Sequence, residues 1–154
     1  MELYEQVQIP HAVYTEVVTQ GLVYGAPDAL TINVFLQEHD WPIIDVPAQV
    51  MATYTPSVNL DRGETELLAF AQTLSDPLVL LDDEVARMEA RRLNLRGRGT
   101  LGVLVQAYLQ ELLSFNQIKQ LTQKYSEKSG QISSQWDYIT QKCNQAERFT
   151  QQIE

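Results

Sequence analysis

Between Pro77 and Asp82 the chain reads Leu78-Val79-Leu80-Leu81, four apolar residues in a row with no polar alternation. A strand with one wet face would alternate apolar and polar side chains. An unbroken run fits a strand covered on both faces, as in a parallel sheet with helices above and below. Asp82 and Asp83 close the run, and a helical pattern from Asp83 to Leu93 follows at once. Strands alternating with helices in this way place the chain in the α/β class.

The other segments agree with that class. Val7 to Ile9 reads as a short strand, with Pro10 opening a helix where its missing N–H is no loss. That helix carries Val13 and Val17 on one face and stops at Gly21, and Asp28 is a favoured N-cap for a second one through Leu30, Val34 and Phe35. Trp41 to Val46 reads as a strand, followed by a loop through Tyr54 to Ser57. From Arg62 to Leu74 a helix has the apolar stripe Leu67, Leu68, Ala71 and Leu74. Arg96 to Thr100 supplies a short strand, and Thr100 to Leu113 a helix. After Ser114 the composition shifts to Gln, Ser and Lys. Apolar positions Ile118, Leu121, Tyr125, Ile132, Trp136 and Ile139 predict two amphipathic helices on either side of Gly130, the second capped by Ser133 or Ser134. The expected organisation is an α/β body over residues 1–114 with a helical extension, 115–154, packed on the same domain. With 154 residues the chain is long enough for a proper core.

Charge narrows the function. The formal net charge is −9, and residues 1–80 carry eleven acids against one base, Arg62. Arg87, Arg91, Arg92, Arg96 and Arg98 then fall within twelve residues, and the first lysine is Lys119. No lysine is available early enough for a phosphate-binding loop or a receiver-type site. The acidity argues against a broad nucleic-acid platform, which needs a basic field, but leaves room for a local arginine patch. The single cysteine, Cys143, excludes an internal disulfide and a thiolate zinc cluster. No apolar run approaches a membrane span, and the default address is cytoplasmic.

The chemistry-bearing residues are carboxylates at element ends. Asp82 and Asp83 follow the buried strand at its carboxyl end, where open parallel sheets bind ligands. One of them also suits the N-cap of the next helix. By helical phase Glu64 falls near the middle of the stripe made by Leu67, Leu68 and Ala71, whereas Glu66 falls toward solvent. A carboxylate at the head of a buried face needs neutralising, and a metal ion or a helix N-terminus would serve. Glu16 lies beside the apolar face of the first helix and gains weight from that company, since oxygen-only Mg²⁺ or Mn²⁺ sites need two or more convergent carboxylates. His11 and His39 have no ligand spacing. Arg87 and Arg91 share a helix face with Glu84, as an ion-pair stripe would, while Arg96 and Arg98 alternate with glycine and are freer to meet phosphate.

At these residues the sequence resembles the PIN-domain nucleases, in an uncharacterised bacterial branch. The pieces that carry the resemblance are VQIPHAVYTEV, NLDRGETELLAFA, PLVLLDDEVARMEARRLNLRGRGTLGVL and, more weakly, KYSEKSGQISSQWDYI, together covering most of residues 3–140. The resemblance implies a Rossmann-like three-layer fold with a parallel sheet. It also implies an acidic pocket binding Mg²⁺ or Mn²⁺ that activates water against an RNA phosphodiester. Carried over by position, Glu16, Glu64 and one of Asp82 and Asp83 match the acidic, metal-binding sites of the pattern; on the residue reading above, Arg87, Arg96 and Arg98 are the candidates for nucleic-acid contact. Family members open with a further hydrophobic strand ending in a ligand aspartate, upstream of where MELYEQV begins here. Its absence predicts either an apolar slot in the core or strands that close up around the gap.

The leading expectation is therefore a metal-dependent ribonuclease of PIN type, in the manner of a toxin from a toxin–antitoxin pair. The alternative is a truncated, catalytically inactive homologue that binds nucleic acid or protein; a nonfunctional fragment is a third reading. The expected partners are an RNA substrate, a small antitoxin protein and a second copy of the chain, with no membrane. The codons upstream of Met1 would discriminate among these readings.

Overall fold

The computed structural model describes residues 3, 4, 6–129, 137, 139–141 and 143, and separates the chain into two compact units. The first runs from Tyr4 to Gly97. In it β1 (Ile9–Pro10) pairs in parallel with β2 (Ile43–Ile44), Ile9 opposite Ile43 and Pro10 opposite Ile44. A second ladder joins β3 (Leu78–Leu80) to β4 (Arg96–Arg98), the strand that closes this unit. Between the strands lie α1 (His11–Tyr14), a π-helical segment (Thr15–Gln20), α2 (Gly21–Val23), α3 (Ala29–Glu38), α4 (Ala48–Thr53), α5 (Arg62–Ala71) and α6 (Glu84–Arg92). The alternation of strands and helices expected for an α/β chain is present.

The core gathers Leu68, Ala69 and Ala71 of α5, Val79 and Leu81 around β3, Ala86 and Ala90 of α6, and Tyr54. Ala86 and Ala90 stand four apart, on one helix face, and their small side chains let α6 approach the strand. Pro10 sits one position earlier than expected, pairing in β1 and serving as the N-cap of α1 with φ −57° and ψ 142°. Between the expected strand and the loop through Tyr54 to Ser57 lies α4, which is too short for periodicity to reveal; Val50 and Met51 hold it against the core.

The parallel pairing expected is present in β1–β2, and the strands form two two-stranded sheets. An apolar groove of about 550 Å³ opens between them, lined by Gln8 and Ile9 of β1, Leu78 and Leu80 of β3, and Phe70 and Leu74 from α5 and the turn after it. It corrects the reading of β3 as buried on both faces: Val79 is buried, but Leu80 is exposed to the groove.

The loop after α4 is fixed by a buried carboxylate. Glu89 is 2% exposed. It accepts hydrogen bonds from the Tyr54 hydroxyl (3.2 Å), the Ser57 backbone N–H (3.0 Å) and the Ser57 hydroxyl. Arg92 completes the set with a bidentate grip, Nε to Oε2 at 2.9 Å and Nη2 to Oε1 at 2.8 Å. A buried charge is tolerable only when paired and hydrogen-bonded in this way. These partners, Arg92 first, hold the Glu89 carboxyl far below the usual carboxylate range. Burial, followed by the charge of Glu89, pushes the Tyr54 hydroxyl up to about 12.

The second unit comprises residues 1–3 and everything from Arg98 onward. Here α7 (Thr100–Leu109) packs against α8 (Phe115–Ser129), with Leu101, Val105, Tyr108 and Phe115 around the buried Ile118, Ile139 and Cys143. The change of compact unit therefore falls at Gly97–Arg98, whereas composition placed it after residue 114. Gly130 and the start of the second predicted C-terminal helix, with Ile132, Ser133, Ser134 and Trp136, lie outside the described residues.

A group with a depressed carboxyl pKa stabilises the fold above its unfolded pKa and loses that contribution as pH falls through the folded value. Glu89→Gln is expected to cost about 2–4 kcal/mol at neutral pH. The deficit in urea melts should shrink as pH drops below the ordinary glutamate range; a pH-independent deficit would assign Glu89 a packing role only.

Candidate active site

The site grows from the N-terminus of α5. Asp61 is its N-cap, and its Oδ1 accepts from the Glu64 N–H at 2.7 Å while the Asp61 N–H donates to Glu64 Oε2 at 3.2 Å. This is a capping box, which satisfies two otherwise orphaned donors. Gly63 lies between them and leaves room for a neighbour: a Cβ placed there would stand 3.1 Å from Val13 Cγ2, 3.4 Å from Asp61 Oδ1 and 3.6 Å from Glu16 Oε2. The π-helical segment thus brings Glu16 against the first turn of α5. Asp83 enters from the end of β3 as the N-cap of α6, its Oδ1 accepting from the Ala86 N–H at 2.9 Å.

Four carboxylates from three places along the chain are close enough to sense one another. The Glu64 carboxyl is raised above the ordinary glutamate value, first by partial burial and then by the charges of Asp61, Asp83 and Glu16, against the lowering effect of its hydrogen bond to Asp61. Mutual repulsion among convergent acids has this signature. Asp61 was missed in the sequence, although the D-x-x-E spacing from Asp61 to Glu64 is a capping-box signal.

The phase assignment for Glu66 is overturned. Glu66 is only 7% exposed, and Glu64 is half-buried. Glu66 Oε2 accepts from the Ala12 N–H at 3.0 Å, and Oε1 pairs with Arg62 Nε at 3.0 Å. The reason is that α5 is covered on two sides, by α1 as well as by the β3 core. The apolar stripe alone does not reveal the side that carries Gly63 and Glu66.

The arginines are engaged. Arg87 Nη1 donates to the carbonyl oxygens of Leu81 (3.2 Å) and Asp82 (2.9 Å), and Nη2 pairs with Glu84. Its guanidinium thereby braces the turn that presents Asp82 and Asp83. Asp82 itself is exposed at that turn. Arg96 binds the Asp76 carbonyl at 3.0 Å and carboxylate at 2.8 Å, pinning a turn whose Asp76 has φ 52°. Arg98, in the second unit, lies against Gly102, where a Cβ would stand 2.7 Å from Arg98 Cγ, and donates to Gln106 Oε1 at 3.3 Å. His11, expected to be incidental, stands 3.4 Å from Asp45, and His39 stacks on Phe35.

A family model described as a PIN domain matches residues 1–141, which is most of the chain and includes every candidate site residue. The chain belongs to the PIN-domain family. PIN domains are nuclease-type domains that act on nucleic acid and generally depend on divalent metal. No curated protein and no solved structure matches the chain. Among the described residues no helix of this PIN domain is long and apolar enough to cross a membrane.

Whether the residues suit a divalent ion follows from the donor set. Glu16, Asp61, Glu64, Asp82 and Asp83 offer only carboxylate oxygens, the donors that hard Mg²⁺ and Mn²⁺ select, and the charges of Asp61, Asp83 and Glu16 add to burial in raising the Glu64 carboxyl. The chemistry fits. The side chains are not drawn together, however: among the described residues no three His, Cys, Asp or Glu groups form a metal-holding set.

A carboxyl whose folded pKa is raised contributes stability below its unfolded pKa and loses it as pH rises through the folded value. Glu64→Gln keeps an oxygen for the Asp61 N–H and removes the repelling charge. In EDTA its Tm is expected to exceed the wild-type value at neutral pH, with the gap closing in acid; a lower Tm at neutral pH would show that the repulsion is not felt.

Proposed function

We propose that this PIN domain is a divalent-metal-dependent endoribonuclease of the cytoplasm, with Glu16, Glu64, Asp82 and Asp83 as its acidic residues and Asp61 as their neighbour. The observation that carries this reading is the approach of acids from the π-helical segment, the cap of α5 and the cap of α6 to Glu64, whose carboxyl is raised first by burial and then by their charges. When bound, Mg²⁺ or Mn²⁺ would lower the pKa of a water and offset charge on the phosphate. Glu16, Glu64 and Asp83 would hold it, with Asp82 alongside. Arg87 keeps the Asp82–Asp83 turn in place through the Leu81 and Asp82 carbonyls. The resemblance to toxins of toxin–antitoxin pairs adds a small antitoxin protein as the partner in this reading.

A second reading, a binding module without catalysis, draws on the capping bonds. Asp83 and Glu64 each spend an oxygen on a helix N-terminus, and among the described residues no three-ligand set is formed.

Calorimetry with Mn²⁺ and a cleavage assay on single-stranded RNA separate the two. The nuclease reading expects heat on Mn²⁺ addition and metal-dependent cleavage, both reduced in Glu64→Gln and Asp83→Asn, with cleavage falling at least about 100-fold. Glu66→Gln should lower Tm through loss of the Arg62 ion pair, its amide oxygen still accepting the Ala12 N–H. Absence of both heat and cleavage in the wild-type chain would assign the binding module.

A further inference from the structure

A second opening borders the acids and is lined by His11, Thr15, Glu16, Gln20, Arg62 and Gly63, enclosing about 560 Å³. Its wall is the π-helical segment. In an α-helix, residues five apart differ by about 140° around the axis, so Thr15 and Gln20 would face apart. The i→i+5 winding of a π-helix aligns them, and both side chains border the same opening. Arg62 stands opposite and is the only Lys or Arg in residues 1–80. Glu66 holds its Nε at 3.0 Å, yet the Arg62 side chain is 84% exposed. Its Nη groups have no protein partner among the described residues. A guanidinium anchored at one edge with its outer edge open is preorganised for a phosphate oxygen.

We propose that this opening is a binding subsite for the phosphodiester backbone of single-stranded RNA, with Arg62 contacting one phosphate and Thr15 and Gln20 the adjoining ribose and base. The subsite rests on the nuclease reading and extends it. It places the strand beside Glu16, the one acid shared by the opening and the acidic cluster. Arg62 is here a binding residue, and its loss falls on affinity.

The test is fluorescence anisotropy of a labelled single-stranded RNA in EDTA, where cleavage is silent, repeated over a salt series. One phosphate contact on a single strand contributes about 0.7 to the slope of log affinity against log salt. Arg62→Gln should bind about tenfold more weakly and lose about that much slope. Arg62→Lys should keep the slope, and Arg91→Gln, whose guanidinium pairs with Glu84, should match wild type. Gln20→Glu, an exposed change remote from the Glu66 contact, should weaken binding even if Arg62→Gln folds poorly. Wild-type affinity and slope in both Arg62→Gln and Gln20→Glu would overturn the subsite while leaving Mn²⁺-dependent cleavage intact. A wild-type chain that neither binds nor cleaves RNA would overturn the subsite and the nuclease reading together.

Discussion

The buried carboxylate of Glu66 is the joint on which the geometry of the acidic site depends. It faces the start of α1 and cannot remain dry and unpaired, so it takes the Ala12 N–H and the Arg62 guanidinium. The Ala12 N–H is in turn one of the first-turn donors of α1 that has no partner within the helix. One carboxylate thus satisfies two demands and ties α1 to α5. With that tie in place, the π-helical segment that continues α1 sets Glu16 against Gly63, where a Cβ would meet Glu16 Oε2 at 3.6 Å and crowd Val13 Cγ2 at 3.1 Å.

The acids do two jobs with the same atoms. Asp61, Glu64 and Asp83 satisfy helix N-termini, which favour negative charge, and those caps bring them into one another's field. Their repulsion adds to burial in raising the Glu64 carboxyl. A cation would relieve it, and the oxygen-only donor set suits a hard divalent one. Stability and function draw on one electrostatic arrangement here, as is common where pKa values are perturbed.

The arginines divide the same way. Arg92 neutralises Glu89, Arg87 braces the strand end, and Arg96 secures the turn into β3. A cluster that looks like a phosphate-binding patch when written out as sequence is mostly spent on the protein's own carbonyls and carboxylates. Arg62 differs because its anchor, Glu66, occupies only its inner edge. The two short ladders and the groove between them show the same economy: α5 supplies apolar side chains to both the groove and the core.

Local pattern and chemistry made much of this legible. The unbroken run before Asp82, the helix from Arg62 and the arginine-rich helix after Asp83 lie where periodicity and capping put them, and motif resemblance was enough to identify the family. The acids at element ends could also be read, because Asp and Glu at helix starts follow from unsatisfied N–H groups. What the sequence could not determine was which faces were covered. Periodicity reports the apolar stripe of a helix but says nothing of a second neighbour, so Glu66 was assigned to solvent until α1 proved to lie over it. The same limit hid the exposure of Leu80, the π-winding of Thr15–Gln20, and the hold of Arg96 on Asp76 twenty residues before it. Each is a contact between residues distant in sequence or a departure from α geometry, and only the tertiary structure decides these.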